Sequence, residues 1–167
     1  MKILFITTPP NNVLTALQTL YNVEVCVVEC HQSSISLGNE IAAAVHSFAP
    51  DIILTYRCPY ILPYEIYSQP LEGAYNIHPS LLPKHRGLNP WHDIMNDNSQ
   101  INGVTLHKIC EHVDDGEIIL QQSYSIAGMN FEVARHTADI IASRIVFDFI
   151  NTIINTSRGR HPVLLLL

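Results

Sequence analysis

The first half of the chain alternates between short apolar runs and stretches with helical character. The apolar runs resemble buried parallel strands, which are continuously hydrophobic because both of their faces are covered. They occupy residues 2–7, 23–29, 51–56 and 73–78. The clearest helical stretch, "LGNEIAAAVHSFAP", places Ile41, Val45 and Phe48 on one face. This order predicts a mostly parallel, twisted sheet with helices on both faces, that is, an α/β fold of Rossmann-like type.

The second half predicts three kinds of element. "NPWHDIMNDNSQ" indicates a short helix, and "GVTLHKI" and "GEIILQQSYSI" indicate two strands that would form an antiparallel pair. A long amphipathic helix follows, with Asn130 as its candidate N-cap. The length of 167 residues suits one domain. We therefore expect residues 1–167 to form a single domain.

Composition and motifs exclude several classes of function. The loop after the first strand, "TTPPNN", has no glycine, and no GxGxxG occurs, so an NAD-type cofactor is not expected. No segment reaches the ~20 apolar residues of a membrane span. A net charge of −6 argues against a general nucleic-acid-binding surface. The cysteines form no CxxC pair, which favours free thiols, no metal site and a cytoplasmic location.

The stretch "YNIHPSLLPKHRG" combines an asparagine and a histidine with two prolines at the end of a predicted strand. Asn76 and His78 are two residues apart, so their side chains point to the same face. An amide N–H and an imidazole can both donate to a developing oxyanion, and the imidazole can also carry a proton near neutral pH. A capped strand end with a hydrogen-bonded histidine is the alternative.

A pair of aspartates precedes the last predicted strand, in "CEHVDDGEIIL". Asp114 lies 36 residues after His78. An aspartate facing an imidazole raises the histidine pKa and fixes its tautomer. The alternative for "DDG" is a polar turn between strands.

The segments "NIHPSLLPKHRG", "GVTLH" and "VDDGEIILQ" together resemble the formyltransferases that use formyltetrahydrofolate. The resemblance covers roughly the entire chain and implies a catalytic trio of Asn76, His78 and Asp114. It also implies that 10-formyltetrahydrofolate is the formyl donor and that a small molecule bearing a primary amine is the acceptor. Asn76 and His78 would donate to the oxyanion, and Asp114 would orient the histidine and assist proton removal.

The same resemblance implies two loops that bind the pterin. One loop contains Tyr60, Ile61 and Leu62, although ordinary core packing explains the two apolar residues equally well. The other contains Glu111, His112 and Val113. The turn 81–83 resembles a family turn with a cis Leu-Pro bond.

The acceptor is less constrained by the sequence. Arg86, Thr8 and Asn11 are the candidate acceptor contacts, and a surface salt bridge is the alternative for Arg86. "HRGLNPW" resembles the sugar-nucleotide and peptide-synthetase members of the family, which implies an amino-sugar nucleotide or an aminoacyl-type substrate. Phosphoribosylglycinamide is the second option, and a degenerate core that binds folate without catalysis is the third. We expect a monomer or a homodimer, with the apolar tail 164–167 as a conceivable dimer contact.

Overall fold

A six-stranded sheet forms the centre of the molecule. The computed structural model describes residues 1–9, 12–97 and 99–157. The strands are β1 (Lys2–Thr7), β2 (Glu24–Glu29), β3 (Ile52–Tyr56), β4 (Ala74–His78), β5 (Ile101–Lys108) and β6 (Ile118–Ser125), in the spatial order β2-β1-β3-β4-β5-β6. The first four strands are parallel, whereas β5 runs antiparallel to both β4 and β6. This confirms the predicted mostly parallel sheet with antiparallel strands toward its C-terminal side.

Helices cover both faces of the sheet, as predicted. They are α1 (Asn12–Gln18), α2 (Ile35–Phe48), α3 (Tyr64–Tyr67), α4 (Pro90–Asn96) and α5 (Phe131–Ser157). α1 and α5 pack on one face, and α2 and α3 pack on the other. Within the described ranges, no helix combines the length and the apolar character needed to cross a membrane.

Local capping explains where two helices begin. The Ser34 hydroxyl accepts from the backbone N–H of Leu37 at the start of α2. The Asn130 side chain accepts from the N–H of Val133 at 3.0 Å, which confirms the predicted cap of α5. Asn11 and the apolar tail 164–167 lie outside the described residues.

The sheet face that α2 covers changes from apolar to polar along β3 and β4. Near the strand starts, Ile53 and Ala74 join the apolar core beneath α2. Two residues further on, the same face carries Thr55 and Asn76, because side chains alternate with a period of two. α3 has only four residues and leaves this end of the sheet uncovered by a long helix. The carboxyl ends of β3 and β4 therefore present polar groups to an open region, which is where ligands bind parallel sheets.

Candidate active site

A cleft of about 250 Å³ opens at the carboxyl ends of β3 and β4. Side chains from two parallel strands, the antiparallel β5 and the loop before β6 meet in it. These polar residues are Thr55, Asn76, His78, His107 and Asp114. The structure thus brings the predicted trio together, although the trio comes from segments far apart in the chain.

Asp114 lies at the centre of the polar cluster and is only 9% exposed. Its Oδ1 accepts from the Asn76 amide at 3.2 Å, and its Oδ2 accepts from the backbone N–H of Gly87 at 2.9 Å. The ring nitrogens His78 Nδ1 and His107 Nε2 each lie 3.4 Å from a carboxylate oxygen. Polar groups from β4, from β5 and from the loop after β4 thereby surround Asp114.

These contacts decide the charge of the Asp114 carboxyl. Burial acts to raise its pKa, but the contacts with His107 and His78 and the N–H of Gly87 outweigh burial and lower the pKa. The carboxylate is therefore ionised near neutral pH. Its backbone has a φ of 54°, in the left-handed region that a non-glycine residue adopts rarely. Such a conformation persists where the surroundings hold it in place.

The amide of Asn76 has a defined orientation. The Thr55 hydroxyl donates to its Oδ1 at 2.8 Å. Its Nδ2 must face the Asp114 carboxylate, because an ionised carboxylate only accepts hydrogen bonds. Nδ2 also lies 3.1 Å from His107 Nε2. The Asn76 N–H groups therefore point into the polar cluster rather than toward the sheet.

His78 is held at both ring nitrogens. Its Nε2 lies 2.8 Å from the carbonyl oxygen of His85, so Nε2 carries a proton, while Nδ1 faces Asp114. Burial lowers the pKa of His78, and the Asp114 carboxylate and the His85 carbonyl offset this only in part. The neutral ring then has its lone pair at Nδ1. This arrangement suits a proton acceptor better than the oxyanion donor expected from the sequence, because the Nε2 proton already has a partner.

His107 is a site residue that the sequence reasoning did not identify. It lies opposite Asn76 in the antiparallel pairing of β4 and β5. Its Nδ1 donates to the carbonyl of Lys108 at 2.9 Å, and its Nε2 lies 3.1 Å from Asn76 Nδ2 and 3.4 Å from Asp114 Oδ1. The histidine of "GVTLH" is plain in the sequence, but its place in the site depends on strand register. Within the described ranges, no three His, Cys, Asp or Glu side chains are arranged to hold a metal ion.

Most of the predicted pterin-binding residues line the cleft. Tyr60, Ile61, Leu62, His112 and Val113 do so, and Glu111 does not. Ile61 is 58% exposed, whereas Leu62 is 5% exposed and belongs to the core beneath α2. The core-packing alternative therefore describes Leu62, while Ile61 is available to a ligand.

The predicted acceptor contacts lie elsewhere. The Thr8 hydroxyl lies 2.5 Å from the carbonyl oxygen of Cys30 and 2.7 Å from that of Arg57. Arg86 Nη2 lies 2.6 Å from Asp115 Oδ1. Neither Thr8 nor Arg86 lines the cleft. Asn11 lies outside the described residues.

The proline turn after β4 is fixed by hydrogen bonds to β5. The Leu82–Pro83 bond is cis. The Thr105 hydroxyl donates to the Ser80 carbonyl at 2.6 Å and accepts from the N–H of Leu82 at 3.2 Å. The turn thus directs the following loop back over His78.

Comparisons with known proteins identify relatives of this chain. The family model described as formyl transferase matches residues 3–143. A methionyl-tRNA formyltransferase from Lysinibacillus sphaericus is 33% identical over 129 residues, which is 74% of this chain and 40% of that protein. The chain thus spans less than half the length of this curated relative.

Solved structures share the fold. Glycinamide ribonucleotide transformylase 1 from Symbiobacterium toebii has a TM-score of 0.76 at 18% identity, over 93% of this chain and 88% of that chain. A 4-N formyltransferase from Francisella tularensis has a TM-score of 0.69 at 19% identity, over 93% of this chain and 70% of that chain. The matched family model, which spans most of the chain, shows that this protein belongs to the formyl transferase family.

Proposed function

We propose that the protein transfers a formyl group from 10-formyltetrahydrofolate to the primary amine of a small acceptor. The observation that carries this proposal is the buried carboxylate of Asp114, held between the Asn76 amide and the His78 ring at the floor of a cleft. Membership of the formyl transferase family supports the same reaction.

The cleft has the chemistry to hold a folate. Tyr60, Ile61 and Val113 give it aromatic and aliphatic walls, and the polar cluster lies at its floor. Sites for small ligands commonly combine a mostly apolar wall with a few placed polar groups. When bound, the folate derivative supplies the formyl carbon, and the loops carrying these three residues would orient it toward Asn76.

Asn76 is the proposed oxyanion donor. Its N–H···Oδ1 contact to Asp114, at 3.2 Å, lies at the long end of the hydrogen-bond range. A carbonyl oxygen in the cleft can therefore compete for this N–H as its negative charge develops. The Thr55 hydroxyl keeps the amide in the required orientation.

Asp114 and His78 are the proposed proton carriers. The ionised Asp114 carboxylate can accept a proton from the attacking amine, directly or through one water. This proton can then be passed to N10 of the folate as its bond to the formyl carbon breaks and tetrahydrofolate leaves. His78 Nδ1 lies 3.4 Å from Asp114 Oδ2 and has a lone pair in the neutral ring, so it can share that proton. The His85 carbonyl then stabilises the charged imidazolium through Nε2.

For the acceptor, we propose an amino-sugar nucleotide or an aminoacyl-type amine. The curated relative is named a methionyl-tRNA formyltransferase, which supports the aminoacyl-type member of this pair. The solved structures are too distant in sequence to support more than the fold.

A formyl-transfer assay with a panel of amines tests the proposal. The panel contains an amino-sugar nucleotide, an aminoacylated tRNA and glycinamide ribonucleotide, with tetrahydrofolate release and the mass of the product as readouts. We expect turnover with one acceptor and a loss of about 10²–10³-fold in Asn76→Ala. If the protein binds folate but formylates none of the amines, the proposal fails. Formate release without an amine would indicate hydrolysis instead.

A further inference from the structure

Two loops meet at the mouth of the cleft, next to the polar cluster. One follows β4 and carries Arg86 and Gly87, and the other precedes β6 and carries Asp114 and Asp115. Consecutive residues of one loop bind consecutive residues of the other. The Gly87 N–H donates to Asp114 Oδ2 at 2.9 Å, and Arg86 Nη2 lies 2.6 Å from Asp115 Oδ1.

The backbone on both sides of this junction is unusual. Asp114 has a φ of 54°, His85 a φ of 54° and Gly87 a φ of 106°. The left-handed region is uncommon for residues other than glycine, although aspartate and histidine adopt it more readily than most, so contacts with the surroundings help to maintain it. The ion pair lies immediately beside Asp114 and Gly87, where it can do so.

Because the ion pair is exposed, it can affect the position of the loops without contributing much to the free energy of unfolding. The side chains of Arg86 and Asp115 are 46% and 43% exposed. Exposed ion pairs contribute little to the free energy of unfolding, since water screens them. Their geometric effect can still be large here, because a small shift of the loop changes the distance from Asp114 to His78.

We propose that Arg86 and Asp115 are positioning residues. Their ion pair, here called the clasp, holds the two loops together and so keeps Asp114 next to His78. For catalysis, this inference rests on the proposed formyl transfer. It gives Arg86 a partner within the protein, which matches the salt-bridge alternative from the sequence rather than the acceptor contact.

The titration of His78, followed by NMR of the imidazole nitrogens, tests the clasp without any activity measurement. The groups that face His78 are Asp114, His107 and His85. In Arg86→Met the clasp is broken, so Asp114 moves away and the pKa of His78 falls below its wild-type value. Loss of the Arg86 charge alone would raise that pKa, because a nearby positive charge disfavours protonation. The two explanations therefore predict opposite signs.

Kinetics give a second readout in the same variants. Arg86→Met and Asp115→Asn should lower kcat by about 10- to 100-fold, as expected for a misplaced catalytic group, with little change in the KM of the acceptor. The charge-swapped double variant Arg86→Asp/Asp115→Arg should recover much of this loss. Glu117→Gln is the matched control, because it breaks the Lys108–Glu117 pair, which is similarly short at 2.7 Å and similarly exposed. Its kcat and its His78 titration should match the wild type.

Three results would contradict the proposal that the clasp positions Asp114. They are a raised His78 pKa in Arg86→Met, an increased acceptor KM with unchanged kcat in the single variants, and a kcat in the charge-swapped variant as low as in the single variants. The last two would indicate that Arg86 binds the acceptor. If the wild-type protein formylates no amine, the proposed function fails, and the His78 titration still decides whether the clasp exists.

Discussion

Gly116 allows a close backbone contact that fixes the loop carrying Asp114. A Cβ added at Gly116 would lie 1.8 Å from the Lys108 carbonyl oxygen and 2.8 Å from its carbonyl carbon. A carbon–oxygen contact normally needs about 3.3 Å, so Gly116→Ala must push the loop away from β5 by about 1.5 Å. Both partners are backbone atoms and cannot simply rotate aside.

The expected cost has two parts. Overpacking lowers the free energy of unfolding by about 1–3 kcal/mol. Asp114 is two residues away, and displacing a catalytic group by about 1 Å can lower the rate about 100-fold. Urea unfolding and kcat measurements give the two quantities separately.

Gly128→Ala is the matched control for Gly116→Ala. Gly128 has a φ of 72° and no atom within 4 Å of an added Cβ. Alanine in that conformation costs about 1–2 kcal/mol of stability without touching the site. We expect both variants to be destabilised and only Gly116→Ala to lose activity. Wild-type kcat in a folded Gly116→Ala would refute the argument that this packing contact positions Asp114.

Three further predictions follow from other contacts. Burial lowers the pKa of His78, so the acid limb of kcat/KM should lie below about pH 6.5. The free energy of unfolding should also fall as the pH drops below that value, because the histidine binds a proton more readily in the unfolded chain than in the folded protein. An acid limb well above about pH 6.5 would contradict a neutral His78 imidazole at neutral pH. Gly38→Ala would place a Cβ 2.5 Å from the Tyr60 hydroxyl and displace this ring, which should weaken binding of a folate analogue by about 1 kcal/mol in a fluorescence titration. Tyr56→Phe removes a 2.5 Å bond to the buried Asp139 and should cost about 1–3 kcal/mol in urea unfolding; an unchanged unfolding midpoint would exclude this role.

The fold is predictable from the sequence because its strands and helices produce patterns among residues that are neighbours in the chain. Buried parallel strands are continuously apolar, so β1 and β3 are recognisable as short hydrophobic runs between helical stretches. Side-chain alternation likewise places Asn76 and His78 on one face of a strand. These features depend on residues that are neighbours in the chain, so the sequence displays them directly.

The features that sequence reasoning misses depend on contacts between distant segments. His107 joins the site through the register of β5 against β4. The partner of His78 Nε2 is a carbonyl at His85, whose position follows from a left-handed backbone. A surface salt bridge for Arg86 is one of the two interpretations that the sequence leaves open, but no local pattern indicates that Asp115 is its partner. Register, loop conformation and loop pairing are set by tertiary packing, so composition and periodicity cannot supply them.

The central claim is that the Asp114 carboxylate moves the proton in a formyl transfer. Single-turnover transfer by Asp114→Asn, at saturating folate and with an acceptor that the wild type uses, tests it most directly. The substitution keeps the size of the side chain and removes its negative charge. We expect folate binding to persist and the transfer rate to fall by about 10²–10⁴-fold, the usual contribution of a general base. Transfer by Asp114→Asn at the wild-type rate would contradict the account.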